Sequence, residues 1–140
     1  MQQNRNFTSG RCLQDYGGKP LIIDMDWASG ENETYRTALW TGQYLQVTLM
    51  SIPVGGDIGL EIHEETDQFI RIEQGCGMVQ FGCTREDVKN IDSVGSRDAV
   101  LIPAGTWHNI VNCGRIPLKL YSVYAPPHHP FGTVQAGKEA

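Results

Sequence analysis

Beyond Leu21 the chain is a succession of short runs in which apolar residues cluster or alternate with polar ones: LIIDMDW, TYRTALWTG, YLQVTLMSIP, GLEIHEE, QFIRIEQG, GMVQFG, DAVLIP, HNIVNC and LKLYSVYAP. A period of two sends successive side chains to opposite faces of an extended strand. The β-branched and aromatic residues in these runs suit such a pleated, half-buried surface. Gly, Pro, Asn or Asp interrupts the pattern roughly every ten residues, which predicts an all-β sandwich or barrel and argues against an α/β arrangement. Helix is expected only in TREDVKNI, Thr84 to Ile91, where Thr84 can act as a cap and Glu86 and Asp87 come early. A single helical turn or a long loop is predicted there.

Residues 1–20, MQQNRNFTSGRCLQDYGGKP, are rich in Asn, Gln and Gly and end in a breaker, so they read as an N-terminal arm. The barrel is placed at 21–127 and a tail at 128–140, within the single domain expected for 140 residues. With 40% hydrophobic and 19% charged residues the chain has the composition of an ordinary globular protein with a packed core. Its 11 Lys+Arg against 16 Asp+Glu form no basic cluster interleaved with aromatics, so nucleic acid and acidic membrane surfaces are not expected as partners. The polar opening lacks the apolar run of a signal peptide and no stretch approaches spanning length, so a cytoplasmic location is expected. The four cysteines show no C-x-x-C spacing and are expected as separate thiols, Cys76 and Cys83 being the pair that strand pairing can bring together.

Candidate chemistry gathers in GLEIHEETDQF and in IPAGTWHNIVN. Glu61 and His63 lie two apart and share one face of an extended segment. Gln68 opens the following run, and a turn over EETD brings it beside His63. His108 begins a strand after the Pro-x-Gly turn at Pro103 to Gly105, which sets the angle at which its imidazole enters. Two imidazoles, a carboxylate and an amide oxygen form a nitrogen and oxygen set suited to Zn, Fe, Mn, Ni or Co and too hard for Cu(I). Glu64, Glu65 and Asp67 read as a solvent-facing turn. His128 and His129 sit among prolines that prevent a shared strand face, so they are left outside the site.

The chain resembles the cupins, small β-barrels of the double-stranded β-helix, jelly-roll-like type. The first cupin motif runs Gly, five residues, His-x-His, three or four residues, Glu, six residues, Gly; here Gly55, Glu61-Ile62-His63, Gln68 and Gly75 keep every interval. In the second motif Pro103, Gly105, His108 and Asn112 fall in register, with Arg97 at the position of the opening Gly. Glu61 replaces the first His and Gln68 the Glu, so one carboxylate is kept and a bound divalent ion would retain about +1, as with the family's usual set. The same inventory resembles the zinc site of type I mannose-6-phosphate isomerases, and small single-domain cupins with a similar PAGTWHN turn and tail are labelled mannose-6-phosphate isomerase-like.

That resemblance implies a metal-dependent aldose-ketose isomerase acting on a small polar sugar or sugar phosphate, with Glu61 or Tyr121 as the base. An Fe(II)-dependent dioxygenase and a non-catalytic sugar- or metabolite-binding module are the alternatives, because cupins host all three. For a phosphate group Arg71, Lys119 and Arg97 are available, although strand parity turns Arg71 away from Gln68. The family also implies a homodimer in which the segment before Leu21 crosses to the other copy.

Overall fold

The alternation of the sequence becomes an inward and an outward row of side chains. The structure, a computed structural model, describes Thr8–Ser9 and residues 12–138. Its strands are β1 (Thr8–Ser9), β2 (Leu21–Ile22), β3 (Arg36–Thr41), β4 (Gln46–Ile52), β5 (Asp67–Gln74), β6 (Cys76–Gly82), β7 (Lys89–Gly95), β8 (Ala99–Ile102), β9 (Trp107–Asn112), β10 (Leu118–Ala125) and β11 (Val134–Gln135). A six-stranded antiparallel sheet in the order β11-β3-β4-β10-β5-β8 faces a three-stranded sheet in the order β7-β6-β9, the expected all-β cupin barrel. β1 and β2 form a separate parallel pair. Inward residues of both sheets, among them Met50, Ile52, Ile70, Ile72, Val79, Ile110, Leu118 and Leu120, make one buried cluster. Burying each Ile or Leu contributes roughly 1.5–3 kcal/mol, so the barrel closes without cross-links.

The outward face of β3 and β4 is covered by a helix where the apolar run predicts strand. LIIDMDW is extended only at Leu21–Ile22, and α1 spans Met25–Glu31. Asp24 makes the difference, since its Oδ1 accepts the N–H groups of Asp26 at 3.0 Å and Trp27 at 3.2 Å as an N-cap. The helix then lays Ala28 on Leu39 and Leu49. TREDVKNI supplies one 3₁₀ turn, Arg85–Asp87, before its end enters β7, an exposed strand without an apolar signal.

GLEIHEE does not pair with β5. Single antiparallel bridges join Asp57 to Val111 and Glu61 to His108, so this segment runs along the free edge of β9. Cys76 meets Cys113 and not Cys83, with sulfurs 3.5 Å apart, because the register that pairs Gly77 with Asn112 sets the next two residues side by side. All four cysteines are free and exposed. Of the arm expected to cross between copies, residues 1–7 and 10–11 lie outside the described residues, while Asp15 accepts hydrogen bonds from Thr41 and Gly132 and ties its end to the barrel. Among the described residues no helix is long and apolar enough to cross a membrane.

Arg97, at the family's opening Gly, has φ +80°. It is the third residue of a turn in which the Asp98 N–H bonds Gly95 O at 2.9 Å, a position that asks for Gly because a Cβ crowds the left-handed backbone. Arg97→Gly is therefore expected to stabilise the fold by about 0.5–1 kcal/mol, the strain relief being partly offset by the freer unfolded chain. Chemical denaturation measures it, and an unchanged or lower midpoint contradicts it.

Candidate metal centre

Two backbone hydrogen bonds, Glu61 N–H to His108 O at 3.0 Å and His108 N–H to Glu61 O at 2.9 Å, fix these residues face to face. A third, Gly105 N–H to His63 O at 2.8 Å, ties the Pro103–Gly105 turn to His63. The ligand-bearing segment is thereby clamped on β9 although it forms no regular strand. Along β9 the inward row is His108, Ile110 and Asn112, all buried.

The three side chains converge. Glu61 Oε2 lies 3.4 Å from His63 Nε2 and 3.5 Å from His108 Nε2, and the candidate ligand atoms are all within 4.8 Å of one another. These contacts exceed a well-made N–H···O bond, and the Nε2 atoms of both histidines are buried without a hydrogen-bond partner. Ligand atoms held about 2.1 Å from one tetrahedral ion stand about 3.4 Å apart, so the spacing fits a shared cation. The carbonyl of Thr106, which can only accept, lies 2.9 Å from His108 Nδ1; the proton therefore sits on Nδ1 and Nε2 presents its lone pair inward.

Gln68, inward on β5 and buried, donates through Nε2 to Ser122 Oγ at 3.3 Å, leaving Oε1 buried and unpartnered. An amide oxygen in that condition suits a fourth ligand. Burial alone would raise the Glu61 carboxyl, but His108 and His63 outweigh it and hold the group well below the usual carboxylate range. It is the anion such a site requires.

Several expectations about the surroundings change. Tyr121, read as a second candidate base, lies on the outer face, packed on the cluster of Ala28, Leu39 and Leu49 with its ring 6.4 Å from Phe69. Tyr124 is inside instead, fully buried, its ring edge-on to that of His63 with ring centres 5.6 Å apart. Burial pushes its hydroxyl up to about 12, so it stays a proton donor near neutrality. Asn112 is a structural lock whose amide donates to Ile52 O and Ile116 O, both at 3.0 Å. Asp67 accepts the Ala104 N–H at 2.9 Å at the edge of the turn. Of the cations considered for phosphate, Arg71 pairs with Glu73, Lys119 with Glu33 and Gly30 O, and Arg97 stands in its exposed turn.

The tail is the main addition. After β10 it folds back over the mouth, and the wholly buried Gln46 accepts the N–H groups of His128 at 3.1 Å and His129 at 2.9 Å while donating to His129 O at 2.8 Å. His128 is thereby set against His63, ring centres 4.1 Å apart, and His129 Nε2 lies 3.3 Å from the Tyr124 hydroxyl. The prolines in PPHHPF rule out strand placement, and local pattern carries no signal that a loop returns to the barrel. Arg36 on β3 was also missed; an arginine inside the apolar run TYRTALW was its only trace.

Burial, and after it the charge of Arg36, pushes the His129 imidazole down to about 3 from an ordinary 6.5. The unfolded chain thus takes up a proton that the folded one refuses, and stability falls as pH drops from about 6.5 toward 3. Melting curves between pH 7.5 and 4 are expected to show a steeper acid loss for the wild type than for His129→Asn. Parallel curves would contradict the assignment.

Comparison with known proteins agrees with this architecture. The family profile described as "Cupin domain" matches residues 48–124. The uncharacterised protein YrkC of Bacillus subtilis is 55% identical over 126 residues, 90% of this chain and 68% of that protein. An uncharacterised protein of Acanthamoeba polyphaga mimivirus is 40% identical over 114 residues, 81% of this chain and 69% of that one. The crystal structure of BH2720 from Bacillus halodurans superposes with a TM-score of 0.88 at 52% identity, covering 89% of this chain and 95% of that chain. KdgF from Halomonas sp., at 19% identity, 66% and 78% coverage and TM-score 0.55, shares the fold.

Proposed function

This chain belongs to the cupin family, and from that premise we propose that it is a metal-dependent enzyme that moves a proton between neighbouring carbons of a small polar substrate, a sugar or sugar phosphate, as in aldose-ketose isomerisation. The observation that carries the reading is the Glu61 carboxylate poised between two buried imidazoles whose inward nitrogens have no other partner. Glu61, His63 and His108, with Gln68 as fourth ligand, would hold a divalent ion such as Zn, Fe, Mn or Ni. Such an ion supplies Lewis acidity toward a carbonyl and its neighbouring hydroxyl.

The rest of the chemistry belongs to side chains at the mouth. His128 is exposed toward solvent on one side and set against His63 on the other; burial and the neighbouring His63 lower its pKa, so near neutrality its imidazole is free to accept a proton. Glu61 can take the same role if its carboxylate moves off the ion. Tyr124 keeps its proton and can donate a hydrogen bond to a substrate oxygen. Gln46 holds the tail so that His128 stays in place against His63.

The test is to incubate metal-reconstituted protein with mannose 6-phosphate or fructose 6-phosphate in heavy water, following carbon-bound deuterium by NMR and dissolved oxygen with an electrode. Deuterium uptake at the carbon beside the carbonyl without oxygen consumption is expected. Oxygen uptake without exchange would replace the isomerase by an Fe(II)-dependent dioxygenase, and binding without either would make the protein a non-catalytic sugar-binding cupin.

A further inference from the structure

Arg36 is a buried cation without a counter-ion among the described residues. It opens β3, is only 5% exposed, and points into the barrel: Nη2 reaches Met50 Sδ at 3.8 Å and the guanidinium carbon lies 5.0 Å from the centre of the Tyr35 ring. Met50 and Tyr35 are both members of the interior cluster. Nη1 donates to the Gln135 amide oxygen, Nε is buried with no partner, and among the described residues no carboxylate lies within ion-pair distance. A buried charge left in this state costs several kcal/mol, and replacing an unneeded one by an apolar residue stabilises.

We propose that Arg36 holds the anionic group of the ligand, so that the barrel takes a sugar acid or a sugar phosphate and not a neutral sugar. The proposal deepens the function given above and rests on it for the sugar part of the ligand. Electrostatics favours it. Glu61 is already engaged by His63 and His108, and a divalent ion there leaves about +1 at the centre, to which Arg36 adds +1; an oxyanion discharges that excess, while a neutral sugar leaves it in a low-dielectric interior. The planar guanidinium is suited to a carboxylate or phosphate because it can give two parallel N–H bonds.

The neighbouring surface suits the remainder of such a ligand. Thr48 and Ser122 face each other across β4 and β10, and Gln46 and Tyr124 do so two residues on, giving the interior a strip of hydroxyl and amide groups. The Thr48 Oγ1 is buried and unpartnered, so it lacks a hydrogen-bond partner that a polyol can supply. Tyr35, whose ring the guanidinium covers, donates its hydroxyl to Ile58 O at 2.6 Å, on the segment that leads to Glu61, so Arg36 lies on the Glu61 side of the interior.

The experiment measures binding of three probes, fructose 6-phosphate, gluconate and fructose, to wild type, Arg36→Met and Arg36→Lys by calorimetry, with bound metal determined on each preparation. At least one of the two anions is expected to bind wild type at least tenfold more tightly than fructose. Arg36→Met should remove that advantage with its metal content unchanged, and Arg36→Lys should keep part of it. The anion that binds distinguishes phosphate from carboxylate. Equal affinity for fructose and the anions, an undiminished anion affinity in Arg36→Met, or no binding by any probe overturns the proposal. His108→Ala separates the two readings: an anion preference that survives without metal in wild type and variant alike counts against the metal centre and leaves the role of Arg36 standing.

Discussion

Replacing His108 by alanine is expected to strip the protein of its divalent ion. The imidazole supplies one of three converging donors, and its Nδ1–H bond to Thr106 O has already set its orientation and tautomer, so nothing else on β9 can substitute for Nε2. Loss of a group that merely orients a ligand costs ten- to a hundredfold in metal affinity, and loss of a ligand itself should exceed that. His63→Ala is expected to behave alike, while His128→Ala, at a ring set against His63 but outside the cluster of donors, should keep its metal. Elemental analysis of untagged protein, with circular dichroism to confirm folding, checks all three. A normal metal load in folded His63→Ala and His108→Ala would end the case for the site.

The second large effect is expected at Gln46. Its amide makes four hydrogen bonds, to Thr41 Oγ1, His129 O and the N–H groups of His128 and His129, from a fully buried position. Gln46→Met keeps the length of the side chain and removes every one. At about 0.5–1.5 kcal/mol per bond, with the cost of stranding buried partners limited by the freedom of the tail to swing into water, destabilisation of roughly 3 kcal/mol follows. The melting temperature should fall by about 10 °C, and amide exchange over residues 126–132 should accelerate more than in the strands. Metal binding should survive, since no ligand touches Gln46, whereas His128 should lose its fixed place over His63. Exchange in the tail no faster than in the wild type would show that another contact holds it.

Much of the site was legible because ligand spacing is a local property. Glu61 and His63 two apart, and His108 straight after a Pro-x-Gly turn, are constraints that a few consecutive residues impose on themselves. Arg97 stood out only through the resemblance, as a departure from the family's opening Gly, and it took the structure to show its backbone left-handed. Long-range placement was not visible. Tyr121 and Tyr124 occupy opposite faces of β10, and periodicity separates the faces without saying which turns inward. The helix at Met25–Glu31 turned on a single cap, Asp24, within a run as apolar as the strands that follow.

The chain by itself determined most of its strands, their two-faced pattern, the identity of the chemical groups offered to a cation and, through its motif intervals, the family of barrel they belong to. Only the closed barrel decided that Glu61 lies against β9 and not β5, that Arg36 is shut inside with no carboxylate among the described residues to pair with it, and that the tail brings His128 onto His63. The physical reason is the range of the forces involved. Side-chain alternation and turn chemistry act between near neighbours in sequence, whereas the choice of inward face and edge partner is made when distant strands bury their apolar rows together, and that is a property of the whole fold.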